Sequence, residues 1–154
     1  FTVVDQVLLG EEESEKAHGM EVLYGTAGEN EQGKFLSAGY PGHITCRFRT
    51  VTGKKMWLRC RFADRGVLHR IPGQDVSYNQ CFRLEVTDES GTEEIAVQSL
   101  CEEDGAPLTE IYYPVMEKQG EIVLKVSGCP YEGEERGTAK FYNKIEIGYF
   151  EENE

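Results

Sequence analysis

Five of the eight arginines occupy alternate positions in short apolar runs. In residues 43–51, Ile44, Cys46 and Phe48 mark one side, and Thr45, Arg47 and Arg49 the other. In residues 55–62, Met56, Leu58, Cys60 and Phe62 oppose Trp57, Arg59 and Arg61. In residues 81–86, Phe82, Leu84 and Val86 oppose Arg83 and Glu85. Successive side chains of a strand point to opposite faces, so Arg47, Arg49, Arg59, Arg61 and Arg83 are expected outside the core, beside Trp57, the only tryptophan. Guanidinium groups grip carboxylates bidentately and stack on planar surfaces. An indole ring offers an apolar plane to the flat face of a sugar. Ligand binding is therefore one use for this basic, aromatic face. Two others stay open: cross-strand pairing with Glu85 and with acids of the later strands, and docking onto another domain of the same polypeptide.

A second candidate is Gly10-Glu11-Glu12-Glu13-Ser14-Glu15-Lys16-Ala17-His18. Glu15 and His18, three apart, suit an acid and a base or a pair of metal ligands. The plainer reading is a solvated carboxylate run in which Ser14 caps a helical turn. Nucleophilic catalysis has no GxSxG elbow, and phosphate binding has no glycine-rich cradle after a strand. The loop Glu132-Gly133-Glu134-Glu135 offers carboxylates to calcium but lacks a DxDxDG pattern. No other metal and no cofactor is expected. His43 and His69 have no partner at a recognisable spacing.

Across its 154 residues the chain carries a net charge of −12. That total is unevenly spread: residues 34–83 hold ten basic and two acidic side chains, a balance of +8 between acidic flanks of −7 and −13. Nucleic acid is not expected as a partner, since phosphate binding needs an overall basic footprint. No apolar run approaches the ~20 residues of a membrane span, so no membrane is expected either. The five cysteines, Cys46, Cys60, Cys81, Cys101 and Cys129, are scattered without CxxC spacing. An odd, dispersed set fits reduced thiols and cytosolic exposure better than a secreted disulfide framework, with secretion as the alternative. Phe1 is not an initiator, and the expectation is one domain, residues 1–154, excised from a longer polypeptide.

Alternating runs bounded by Gly, Pro, Asp and Asn continue along the chain. An opening strand over 2–8, the runs 43–51 and 55–62 as one hairpin, and 81–86 with 94–100 as another around Asp88-Glu89-Ser90-Gly91 come first. Runs 110–115, 121–126 and 140–150 follow, the last turning Phe141, Ile145, Ile147 and Tyr149 inward. A turn or two of helix is expected within 11–20, and polar loops over 25–33, 64–78 and 130–137. About eight short strands with one buried face each predict an all-β chain, an antiparallel β-sandwich or jelly roll.

Several short motifs have a familiar order. Asp5-Gln6-Val7, Gly10-Glu11 and Ser14-Glu15-Lys16-Ala17-His18 open the chain, and Gly33-Lys34-Phe35-Leu36-Ser37-Ala38-Gly39 follows. Cys81-Phe82-Arg83-Leu84-Glu85-Val86, Tyr113-Pro114-Val115 and Thr138-Ala139-Lys140-Phe141-Tyr142 complete the series. The series resembles the C-terminal β-sandwich domain of β-L-arabinofuranosidase-type glycoside hydrolases, with Glu11, Ser14, Glu15 and His18 as the matching motif residues. The chain departs from that pattern at Phe35-Leu36, at Tyr40-Pro41-Gly42, and in an insertion over 63–79 holding Arg65, His69 and Arg70. The resemblance implies a non-catalytic, carbohydrate-binding-module-like accessory domain that holds a plant-type glycan or braces the catalytic domain of the same polypeptide. A purely structural interaction sandwich is the alternative, and an independent glycosidase using Glu15 and His18 the remote one.

Overall fold

The computed structural model describes residues 1–63, 80–100, 102, 105–115, 117–129 and 137–151. Among the described residues the chain forms β1 (Thr2–Leu8), a short helix α1 (Glu12–Ala17), β2 (Glu21–Asn30), β3 (Gly33–Arg49), β4 (Trp57–Ala63) and β5 (Gln80–Asp88). It continues through β6 (Gly91–Leu100), β7 (Leu108–Pro114), β8 (Glu121–Gly128), β9 (Thr138–Tyr142) and β10 (Lys144–Tyr149). Two antiparallel sheets result: a four-stranded one in the order β1-β10-β4-β7, and a six-stranded one in the order β2-β3-β8-β5-β6, with β9 paired to β3. The antiparallel sandwich expected from alternation is present, built from ten described strands rather than about eight.

Period-two alternation identified the core because each sheet buries one face. Ile44, Cys46, Phe48, Met56, Leu58, Cys60, Phe62, Phe82, Leu84 and Val86 are all buried. Between the sheets, the Phe62 ring lies 5.4 Å from Phe82 and 5.1 Å from Phe141, and those two rings are 5.4 Å apart. Each such side chain contributes roughly 1.5–3 kcal/mol on leaving water. Burial pushes the Cys46 thiol up to about 12 and the Cys60 thiol upward as well, so both act as small hydrophobes rather than nucleophiles.

Three expectations need correction. The runs 43–51 and 55–62 are not a hairpin: β3 pairs with β2, β8 and β9, whereas β4 pairs with β10 and β7. Residues 50–56 carry the chain from one sheet to the other, and the Thr50 amide and hydroxyl both donate to the Gly120 carbonyl, at 3.1 and 2.7 Å. Alternation tells which side of a strand is buried, not which strand lies beside it. The run 140–150 is likewise two strands, in different sheets. Asn143, at φ 64°, breaks it; asparagine accepts this left-handed conformation more readily than other non-glycine residues. Finally, residues 25–30 extend β2, so 25–33 is not a loop. β2 edges the six-stranded sheet and leaves most of its side chains exposed.

The β5–β6 hairpin turns where the sequence predicts, with Asp88 opposite Gly91. The Asp88 carboxylate accepts the amides of Ser90 and Gln119 at 2.8 and 3.0 Å. Bonds from the Ser90 hydroxyl and the Gln119 amide hold its carboxyl well below the usual carboxylate range. The expected loop over 64–78 and all but the last residue of that over 130–137 lie outside the described residues, as do Arg65, His69, Arg70 and Cys101. The calcium candidate 132–135 lies there too.

Candidate functional site

Arg47, Arg49 and Arg83 stand on β3 and β5 of the six-stranded sheet, whereas Trp57, Arg59 and Arg61 stand on β4 of the four-stranded sheet. The single basic, aromatic face expected from sequence is therefore two faces on opposite sides of the sandwich. Each of the five arginines also has a carboxylate within ion-pair distance. Arg83 meets Glu94 at 2.6 Å, Arg47 meets Glu121 at 3.7 Å and Arg49 meets Asp5 at 3.9 Å. Arg47 and Arg49 remain largely exposed, the Arg49 side chain at 79%.

On the four-stranded sheet the pairing is tighter. Glu146 of β10 is only 1% exposed. It accepts Arg59 Nε and Nη2 at 2.9 and 2.7 Å, and Arg61 Nη1 at 2.6 Å. Arg61 also reaches Glu110 at 3.3 Å. Burial alone would raise the Glu146 carboxyl, but the hydrogen bonds from Arg59 and Arg61 outweigh it and hold the group below its ordinary value. The same bond raises the Arg59 guanidinium further. Phe1 covers the pair, with Arg59 lying 4.7 Å over its ring. Phe150 packs 5.0 Å from Phe1 and 5.8 Å from Trp57. The guanidinium groups here are committed to protein carboxylates, and what this face offers outward is half-exposed Phe1, Val3 and Phe150.

The motif residues Ser14, Glu15 and His18 tie α1 to the opening strand. Ser14 Oγ accepts the Leu8 amide at 2.8 Å, and Glu15 Oε2 accepts the Gly10 amide at 3.1 Å. His18 Nδ1 lies 2.8 Å from the Ser14 carbonyl and Nε2 lies 2.9 Å from Asp5 Oδ1. Both acceptors are satisfied at once only by a ring that donates from each nitrogen. Asp5 Oδ2 accepts the Arg49 amide at 2.9 Å, so β1, α1 and the end of β3 meet on one carboxylate. Burial opposes ionisation of Asp5, yet bonds from His18 and from the Arg49 and Gln6 amides hold it below the usual range. Glu11 is an exposed residue 3.4 Å from Lys34 Nζ. Glu15 and His18 are thus each occupied with separate partners in the fold. Beside them lies a hollow of about 510 Å³ lined by His18, Arg47, Arg49 and Glu121.

A different surface meets the requirements of a sugar site. On β2 the pairing advances two residues, from Leu23 to Gly25, while on β3 it advances from His43 to Ala38, so Gly39–Gly42 bulge from the ladder. The bulge is possible because Gly42 is bare: a Cβ there would strike the carbonyl oxygens of Leu23 and Gly39. Opposite it, Tyr24 is held at φ 52°, a conformation that costs a non-glycine residue about 1–3 kcal/mol and gathers at functional sites. Tyr24 is 71% exposed and Tyr40 49% exposed. Tyr40 and Pro41 form the wall shared by two hollows. One, about 600 Å³, also has Tyr24 and Thr138 in its lining. The other, about 580 Å³, has Arg83, Ser99 and Ser127. Flat aromatic surface beside hydroxyls and a guanidinium is what a glycan needs. Alternation missed Tyr24 and Tyr40 because both sit where the ladder slips. The available signal was Tyr40-Pro41-Gly42 interrupting a long strand. Among the described residues no group of three or more His, Cys, Asp or Glu side chains is placed to hold a metal.

No protein-family model and no curated protein sequence matches the chain. Solved structures do. An exo-β-1,3-galactanase from Phanerochaete chrysosporium, solved with β-1,3-galactotriose, matches at 14% identity and a TM-score of 0.60, over 94% of this chain and 29% of that one. A family 35 carbohydrate-binding module from Clostridium thermocellum matches at 11% identity and a TM-score of 0.56, over 96% of this chain and all of that one. A family 29 carbohydrate-binding module matches at 7% identity and a TM-score of 0.55, over 92% and 89%. The chain therefore spans under a third of the galactanase but the full length of the family 35 module. Its fold is the β-sandwich of carbohydrate-binding modules.

Proposed function

We propose that this chain is a non-catalytic sugar-binding domain that receives its glycan on the Tyr24–Tyr40 surface. The observation that carries the reading is the pair of exposed tyrosines: Tyr40 on the wall between two hollows, and Tyr24, held in a strained backbone, lining one of them. Sugar rings stack on the phenol faces, and Arg83, Ser99, Ser127 and Thr138 supply hydrogen bonds to the hydroxyls. Similarity to modules that bind carbohydrate, including a family 29 module solved with cellulohexaose, supports the ligand class. The ordered motifs that resemble arabinofuranosidase-type enzymes support a glycoside hydrolase as the parent. Affinity electrophoresis of the domain in gels containing arabinan, galactan or β-glucan tests the reading. Retardation by at least one polymer is expected, and unaltered migration in all of them contradicts it.

The outer face of the four-stranded sheet favours a second role, bracing a neighbouring domain of the same polypeptide. Phe1, Val3 and Phe150 leave apolar area in water there, over a salt-bridge network already complete. This role does not compete with the first, because the two surfaces lie on different sheets.

A further inference from the structure

We propose that Cys81 and Cys129 are a disulfide-forming pair that staples the end of β5 to the end of β8. Phe82 is opposite Gly128 in the antiparallel ladder. The next pair outward is therefore Cys81 and Cys129, and the Cys129 amide donates to the Cys81 carbonyl at 3.0 Å. Directly opposed, hydrogen-bonded residues of antiparallel strands have Cα atoms about 5.5 Å apart, inside the roughly 4.4–6.8 Å span that a disulfide bridges. The two sulfur atoms already lie 3.1 Å apart. Cys81 is buried and Cys129 is partly accessible, so one sulfur can be reached by a reagent and the other waits behind it. Cys46 and Cys60 stay in the core and take no part.

The chemistry is thiol–disulfide exchange with a low-molecular-weight disulfide as oxidant. The Cys129 thiolate attacks one sulfur of the oxidant, forming a mixed disulfide and expelling one thiolate. Cys81, after losing its proton, attacks the Cys129 sulfur of that mixed disulfide and expels the second thiolate. The protein loses two electrons and two protons, and the oxidant leaves as two thiols. Burial, and the contact with Cys81, push the Cys129 thiol up to about 12. In the folded chain the reaction is therefore slow at neutral pH and quickens as pH rises. This is the behaviour of a stabilising staple, not of a fast redox sensor.

The staple closes beside the proposed sugar surface. The Tyr40 amide donates to the Gly137 carbonyl at 2.7 Å, and a Cβ at Gly137 would strike the Cys129 and Cys81 carbonyls.

The test is incubation of the folded chain with oxidised glutathione at pH 8.5, followed by alkylation, intact-mass measurement and peptide mapping. The expected product lacks two hydrogen masses, yields a Cys81–Cys129 linked peptide pair, melts at a higher temperature and reverts with reductant. Cys129→Ser, with an unchanged circular dichroism spectrum, is expected to abolish the mass loss. Full alkylation of Cys81 and Cys129 after oxidation overturns the inference, and so does a bridge that recruits Cys101 instead.

Discussion

Glu146 and Arg59 form a bidentate pair, 2.9 and 2.7 Å long, on the outer side of a sheet, with the carboxylate buried and the guanidinium mostly so. The pair explains where the basic charge of the middle third goes. Arg59 and Arg61 neutralise an acid more than eighty residues later in the chain, under a lid of Phe1, and have no guanidinium edge to spare.

Among the described residues, removing Glu146 leaves Arg59 with no carboxylate and Arg61 with only the partly exposed Glu110, and breaking a buried pair in this way costs about 3–5 kcal/mol. Glu146→Gln is expected to lose about 3 kcal/mol in urea unfolding. Glu121→Gln, whose ion pair with Arg47 is exposed at 3.7 Å, is expected to lose less than about 1 kcal/mol. Equal losses in the two variants contradict the account of the four-stranded face.

Alongside Asp88, whose carboxyl also sits below the usual range, acid should act through the same group and through Asp5. Both carboxyls ionise at lower pH in the folded chain than in the unfolded one, so the unfolded state binds protons first as pH falls. Their stabilisation is complete above the ordinary carboxylate range and drains away as pH drops through their lower folded values. Urea midpoints are expected to stay flat from neutrality to about pH 5 and to decline below it. In Glu146→Gln part of that decline should be gone.

The contacts of Ser14 and His18 predict a structural phenotype for the motif that carries the family resemblance. His18→Ala takes one donor from a mostly buried carboxylate and is expected to cost about 1–3 kcal/mol, whereas Ser14→Ala frees an exposed Leu8 amide and is expected to cost about 0.5–1.5 kcal/mol. Polysaccharide retardation should be unchanged in either variant under conditions where it remains folded. Loss of binding in a folded His18→Ala protein would move the site to the hollow beside Arg47 and Arg49.

Tyr24 offers a sharper separation of function from stability. Glycine accepts φ near 52° without strain, so Tyr24→Gly is expected to hold or raise the unfolding free energy, by up to about 1 kcal/mol. The same change removes a stacking surface, and glycan affinity is expected to fall roughly tenfold, about 1.4 kcal/mol. Calorimetric titration and thermal unfolding of one protein sample measure both.

The core and the solvent side of β4, β5 and the second half of β3 were legible in the sequence, since Ile44, Cys46 and Phe48 or Phe82, Leu84 and Val86 alternate without interruption. Sheet membership was not. Nothing in residues 50–56 tells a hairpin from a crossover between layers, and that one ambiguity merged Arg47 with Arg59 on an imagined common face. Asn143 could have been suspected as a break, yet Phe141 and Ile145 are both buried on either side of it, so the apolar pattern runs through. The tyrosine surface was hidden for a related reason. Tyr24 and Tyr40 are brought together at a register slip that depends on two strands at once.

The most direct test compares glycan titrations of Tyr40→Ala and Trp57→Ala with the parent chain, using the polymer that retards it most. Binding at the bulge predicts at least tenfold weaker affinity for Tyr40→Ala, about 1.4 kcal/mol, and unchanged affinity for Trp57→Ala. The reverse pattern, with Trp57→Ala defective and Tyr40→Ala intact, places the glycan on the four-stranded sheet and contradicts the account.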